Sequence, residues 1–366
     1  MELTDADLIE FLGDPAPRIR TAALETLAAG YCEDPAMLRA IFDAWDRYGI
    51  HEAFSELPLV NHLPTSEALA DESLLRASAM SRGRKLVDPV CRCAGKLIEA
   101  YSIAPPQVYA STLHRFESLR RESKIFFRVD VEAMQRRAEF ARKSVAELLA
   151  IAERDPAREG DGPGGGPQPM QWAIDELHLR GEAGSLWSAA MFDLQASDDR
   201  KSQATDACLE VLTRRTVAGF EPQLVSLLDA ADAKIADAAA IGLVRCRSVA
   251  VVDAISQHFG ELGRAGRLRA AAVLQRMRLP GVASRVRLLA DLSREDQGVI
   301  EALRAAEILQ FDFDQVEDWL EAVVTIDDKH LRRIEQRLHL AVPLASRLRE
   351  DDQQRFMRLL RSRLAD

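Results

Sequence analysis

Aromatic rings are scarce, with four Trp and four Tyr and an aromatic share of 6%. A β-sandwich core draws on rings and β-branched residues, and no run of alternating β-branched residues marks a strand. Cysteine is equally sparse. The five residues Cys32, Cys91, Cys93, Cys208 and Cys246 are odd in number and scattered, which excludes a disulfide framework and points to reduced thiols in a cytoplasm. No apolar run approaches the length of a membrane span. The opening Met-Glu-Leu-Thr-Asp-Ala-Asp is acidic where a secretory leader is basic, so a cytoplasmic protein without membrane contact is expected.

The signatures of chemistry are missing too. Cys91 and Cys93 on one helix point about 200° apart and cannot share an ion easily, and no second cysteine pair stands at finger spacing. The seven His form no His-Glu-x-x-His motif. No Gly-x-Ser-x-Gly elbow occurs. Gly164-Gly165-Gly166 is followed by neither Lys-Ser nor Lys-Thr, so it is no phosphate loop. No catalytic residue, metal ligand or cofactor is expected, and the chain reads as a non-enzyme.

What is present is helix. Hydrophobic residues make up 47% and charged residues 29%, the balance of a folded all-α chain. Leu8 to Leu27 holds a short amphipathic helix, a Gly-Asp-Pro bend, and a second helix presenting Ile19, Ala22, Ala23 and Leu27. Such a hairpin buries its apolar stripe only against a copy of itself. A shift of 216 turns Leu12, Ile19, Ala22, Ala23 and Leu27 into Leu228, Ile235, Ala238, Ala239 and Leu243. A further 33 reaches Leu268, Ala271 and Ala272, and 35 more reaches Leu303, Arg304, Ala306 and Ile308. Small Ala residues on one face let helices approach, while Asp and Pro end one helix and start the next.

Asp14 and Pro15 in the bend, the Ile19-Arg20 pair and Ala22-Ala23 resemble the signature of HEAT repeats. The second copy lacks the Pro and has Ala236 where Arg20 stands. The resemblance covers 8–27 well, 224–309 less well and 30–155 poorly. It implies a right-handed α-solenoid of stacked antiparallel helix pairs, irregular in residues 30–155, and usually a platform for macromolecules. Deoxyhypusine hydroxylase is similar in its hairpins but binds iron through several His-Glu pairs. Here only His51-Glu52 occurs.

In chain order, Thr4 and Asp7 form a near capping box. Asp34-Pro35 starts a helix that Gly49 ends. A short helix is expected from His51 to Leu57, a pair at 65–80 and 84–101, and another helix over 107–123. Asp130 opens a long helix to about Glu153. Residues 155–169, rich in Gly and Pro, form a linker or surface loop. It separates an irregular N-terminal segment, 1–154, from regular repeats and a capping helix over 170–366. Ser248, Ser293 and Asp327 are expected caps, and Pro280 restarts a helix. Trp45, Trp172, Trp187 and Trp319 lie on apolar stripes and are expected in the core.

The net charge of −10 is uneven, with 4 basic and 15 acidic residues in 1–75. Residues 115–143 hold 9 basic and 5 acidic, and 329–363 hold 10 and 4. Arg120, Arg121, Lys124, Arg128, Arg136 and Arg137 form the densest basic stretch, with Phe126 and Phe127 inside it. They are the candidate residues for a charged partner. The expected function is a scaffold for a protein or peptide partner. The alternative is nucleic-acid binding through these helices or 329–363, the arrangement of some DNA-alkylation-repair glycosylases built from HEAT-like helices. The acidic total weighs against it. An enzyme or accessory lyase on this scaffold is the third reading.

Overall fold

A computed structural model describes residues 4–54, 60–82, 88–110, 112–114, 118, 131–153, 168–196, 202–277, 279, 282–293, 296–309 and 354. Seventeen helices and no strand occur among them. None is long and apolar enough to cross a membrane. The chain divides into two compact units. One comprises Met1–Pro64 and Arg247–Asp366, the other Thr65–Cys246. The expected linker at 155–169, the helices beyond 309, Asp327, Pro280, Phe126, Phe127 and Trp319 fall wholly or mostly outside the described residues.

In the discontinuous unit the first segment holds α1 (Asp5–Phe11), α2 (Pro17–Ala29) and α3 (Ala36–Tyr48). Thr4 starts α1 with a complete capping box, its hydroxyl accepting from Asp7 N–H and the Asp7 carboxylate accepting from Thr4 N–H. The acidic first turn also meets the positive end of the helix dipole. α1 packs on α2 and α3, burying Leu8, Leu12, Ala22, Ala23, Leu27, Ile41 and Phe42. Asp34 Oδ1 accepts from Ala36 N–H at 2.9 Å and fixes the start of α3. Gly49, at φ 85°, ends it.

His51 to Phe54 is a turn, where a helix is expected from the sequence. The carbonyls of Glu52 and Ala53 accept from Arg20, and the rest of the expected helix, 55–57, lies outside the described residues.

The second segment of this unit holds α14 (Val249–His258), α15 (Arg264–Arg276), α16 (Val282–Leu292) and α17 (Gln297–Leu309). α14 packs on α16 and α15 on α17, alternate helices lying side by side. The cap of α17 is Asp296, which accepts from Val299 N–H at 3.2 Å. The Ser293 expected there instead turns its hydroxyl back to Leu289 O at 2.8 Å.

The continuous unit begins with α4 (Glu67–Ser81), α5 (Pro89–Ile103) and α6 (Pro106–Tyr109). Asp88 caps α5 and Pro89 fills its first position. The long helix expected from Asp130 to Glu153 is two, α7 (Val131–Phe140) and α8 (Val145–Ala152). The break is caused by Ser144, whose hydroxyl accepts from Glu147 N–H while the Glu147 carboxylate accepts from Ser144 N–H.

Five helices follow: α9 (Gln168–Leu179), α10 (Gly184–Gln195), α11 (Gln203–Leu212), α12 (Glu221–Leu227) and α13 (Ala233–Cys246). α9, α11 and α13 pack in one row, and α10 packs on α12. Trp172 and Trp187 are buried here, and Trp45 in the other unit, as their stripes require.

Burial corrects the repeat register. Ala238 and Ala239 are buried, and so are Ala270 and Ala271, then Ala302 and Leu303. The step is the 32 residues that also separate Arg245 from Thr213 and Arg264 from Asp296 in hydrogen bonds. Ala272, aligned by the 33-residue spacing, is only half-buried. Runs of Ala match at several offsets, and packing selects one.

The 216-residue relation has a backbone counterpart. Tyr31 and Arg247, 216 positions apart, are the non-glycine residues with positive φ among those described, at 51° and 41°. Each follows a helix end, where a left-handed residue lets the last carbonyls find donors. Cys32 N–H thus donates to Leu27 O at 3.1 Å.

At Gly242, α13 lies tight against the Leu212 side chain of α11. A Cβ there would lie 2.7 Å from Leu212 Cδ1, and Leu212 is fully buried. Gly242→Ala is expected to destabilise the protein by about 1–3 kcal/mol through overpacking. Chemical denaturation of the full chain measures this, and an unchanged midpoint overturns the close-packing account.

Candidate functional site

Among the described residues of the continuous unit, the densest group of buried charges lies on α9. Its run Trp172-Ala173-Ile174-Asp175-Glu176-Leu177 is buried throughout, two carboxylates included. Such a placement is costly unless each charge finds a partner. Asp175 finds two. Arg215 Nε donates to Oδ1 at 2.6 Å and its Nη2 to Oδ2 at 3.0 Å, a forked pair. Arg137 Nη2 donates to Oδ2 at 2.6 Å. All three side chains are 12–14% exposed.

The same guanidiniums reach further. Arg137 Nη1 donates to Ser102 O and Arg215 Nη2 to Ile103 O at 2.9 Å. These carbonyls belong to the last turn of α5, where no helical donor remains and the helix dipole favours a cation. One carboxylate and two arginines therefore join α5, α7, α9 and the connection after α11. Burial pushes the Asp175 carboxyl up, but Arg215 and then Arg137 outweigh it and hold it below the ordinary carboxylate value.

Glu176 and Arg180 repeat the device one helical turn apart. Arg180 Nε donates to Glu176 Oε1 at 2.8 Å, while Nη1 and Nη2 donate to Lys143 O at 2.7 Å and Ala141 O at 2.9 Å. His178 lies on the same helix, its ring edge-on to Trp187 at 5.9 Å between centroids. Burial lowers its pKa, and Arg215 adds to this against the pull of Asp175. Burial thus favours the neutral imidazole.

Other arginines act likewise. Arg245 Nε donates to Thr213 O at 2.9 Å beyond α11. Arg267 donates to Phe259 O at 3.2 Å and Gly260 O at 3.1 Å beyond α14. Arg20, buried to 1% exposure, reaches Asp14 O, Pro15 O, Glu52 O and Ala53 O. Its guanidinium carbon lies 3.8 Å from the Tyr48 ring centre. Burial lowers the Arg20 pKa, yet a guanidinium keeps its charge in a protein.

The sequence-based candidates divide. Arg120, Arg121, Lys124 and Arg128 lie outside the described residues, as does nearly all of 329–363. Arg136 is exposed on α7, whereas its neighbour Arg137 turns inward to Asp175. The fold thus puts one member of the basic stretch at the surface and uses the next as an internal link. Asp175, Glu176 and His178 were not singled out from the sequence. The available signal is their position inside an apolar helical run, where a surface carboxylate would not stand.

The thiols are spread across both units. Burial is the first cause of each shift: it pushes Cys32 up to about 11, with Asp5 adding to it, and Cys93 and Cys208 up to about 12. Cys246 donates to Val217 O at 3.2 Å. No group of three His, Cys, Asp or Glu among the described residues is arranged to hold a metal. As chemistry, the α9 cluster has little reach, because a carboxylate bound by two guanidiniums is a weak base. It works as a tie between helices.

Comparison with protein-family models gives no match, and neither does comparison with curated proteins.

Asp175→Asn leaves two buried guanidiniums facing a neutral amide and is expected to cost about 3–5 kcal/mol at pH 7. The folded carboxyl titrates below its unfolded value. Its contribution is therefore full above about pH 3.9 and lost as pH falls through the folded value. Urea unfolding of both proteins at pH 7 and pH 3 checks this: the gap narrows in acid, and a constant gap refutes the charge account. A thiol-specific reagent at pH 8 is expected to leave the buried Cys32 and Cys208 unmodified in the native chain and to modify them after denaturation. Rapid native labelling at these sites contradicts their burial.

Proposed function

We propose that the chain is a HEAT-like scaffold, a right-handed solenoid of stacked helix pairs whose curved face binds another protein or peptide. One observation carries the reading: neighbouring hairpins are tied by arginine bonds at separations of 32 to 40 residues, the scale of a single helical-repeat unit. The rows α9–α11–α13 and α10–α12, and the pairs α14–α16 and α15–α17, support the same reading. Each hairpin then adds a few outward side chains to a shared surface while its buried stripe holds the stack.

A protein partner suits the net charge of −10 better than nucleic acid does. The test is capture of partners by the full chain with and without nuclease, followed by reconstitution of the complex from purified components. A protein bound in fixed stoichiometry after nuclease is the expected result, with affinity changing less than threefold in the Arg120→Ala, Arg121→Ala, Lys124→Ala triple variant. Binding that disappears with nuclease, falls steeply with salt and is lost in the triple variant overturns the scaffold reading in favour of nucleic acid.

A further inference from the structure

α16 buries one side and leaves the other to solvent. Val282, Val286, Leu289 and Ala290 are buried where it packs on α14, α15 and α17. The opposite side carries Ser284, Arg285, Leu288, Asp291 and Leu292, all exposed. Leu288 and Leu292 are 55% and 70% exposed. Four positions apart, they lie one above the other and make a single apolar strip. The outward side of α3 has the ordinary charged pattern instead, with Arg39, Asp43, Asp46 and Arg47. An adjacent apolar pair rimmed by charge is the form a binding surface takes.

The charge around this strip is mostly of one sign. Residues 262–290 hold seven arginines and no other charged residue, in a chain whose net charge is −10. Arg285 and Arg287 are exposed on either side of the leucines, and Arg264 on α15 is 68% exposed. Acids answer part of this charge. Asp291 stands on the Arg287 side, Arg285 meets Asp253 of α14 at 3.3 Å, and Arg264 meets Asp296 at 2.8 Å. The Arg285 pair lies at the surface, its side chains 50% and 43% exposed. Such a pair is weak, and an incoming carboxylate can replace its acid. A guanidinium takes a carboxylate in a fork, and a strip of leucines takes the apolar stripe of a helix.

We propose that the outward face of α16, with Leu288 and Leu292 between Arg285 and Arg287, is the docking site for an acidic amphipathic helix of a partner protein. This rests on the scaffold reading and adds to it a place and a partner chemistry. The partner lays its apolar stripe along the two leucines, and its carboxylates reach the arginines on either side. Nucleic acid fits this face less well, because phosphates engage the arginines and leave the leucines in water.

Fluorescence anisotropy of the full-length protein tests this. The probe is a fluorescein-labelled helical peptide of Glu, Ala and Leu with its leucines along one face. Its controls are the same composition with the leucines scattered, the same peptide with Lys for Glu, and an oligo-dT strand. The protein variants are Leu288→Ser with Leu292→Ser, and Arg285→Gln with Arg287→Gln, all at exposed positions where replacement disturbs the fold little. Saturable binding of the probe to the unaltered protein is expected. Binding at least tenfold weaker is expected for either double variant, for the scattered peptide and for the Lys peptide. Absence of saturable binding overturns the proposal, cover of the face by the chain's own residues included. So does probe binding within twofold in the leucine variant, equal binding of the scattered peptide, or displacement of the probe by tighter-binding oligo-dT. If the leucine variant fails to fold, the two peptides on the unaltered protein decide: equal affinity refutes the proposal. A partner captured after nuclease as firmly by the leucine variant as by the unaltered protein leaves the scaffold reading standing and overturns this site alone.

Discussion

A guanidinium reaching the end of a neighbouring helix is the interaction on which this structure depends. Every helix leaves its last carbonyls without donors, and a stack of short helices multiplies such ends. Water cannot serve those that are buried. Arg137, Arg180, Arg215, Arg245 and Arg267 serve carbonyls at or just beyond helix ends instead, and Arg20 does the same for the bend at Asp14 and Pro15 and the turn at Glu52 and Ala53. Planar geometry explains the preference for Arg over Lys: a fork of fixed donors can meet two or more carbonyls at once, while an ammonium acts as a point charge.

This use of arginine accounts for the two carboxylates inside α9. Guanidiniums drawn inward to helix ends bring positive charge into low dielectric, where it must be answered. Asp175 answers two of them and Glu176 a third. The ion pairs are then part of the terminal chemistry of the helices and need not add net stability of their own. In the other unit Arg20 is answered by carbonyls and by the Tyr48 ring. Tyr48 in turn donates to Gly13 O at 3.0 Å, so the bend between α1 and α2 is held from both sides.

Local features were legible in the sequence where their cause is local. The capping box at Thr4, the stop at Gly49 and the core positions of Trp45, Trp172 and Trp187 each follow from a few neighbouring residues. The break at Ser144 was legible in the same way, since Ser and Glu stand at cap spacing, but a long helical pattern hid it. The repeat register was not, because consecutive Ala residues fit several offsets and packing across helices chooses among them. The Asp175 cluster was beyond reach for a different reason. Its partners lie 38 and 40 residues away, and nothing in the basic stretch distinguishes Arg136, which faces out, from Arg137, which faces in.

Arg20 carries a consequence for how such a chain tolerates change. Its donors serve the bend at Asp14 and Pro15 on one side and the turn at Glu52 and Ala53 on the other. A mild replacement that keeps the charge still loses the fork, and a smaller residue leaves the carbonyls without donors and a hole beneath the Tyr48 ring. The usual ordering of substitutions from conservative to radical therefore collapses at this position, whereas the exposed residues of the same helix, such as Pro17 and Arg18, remain open to drift.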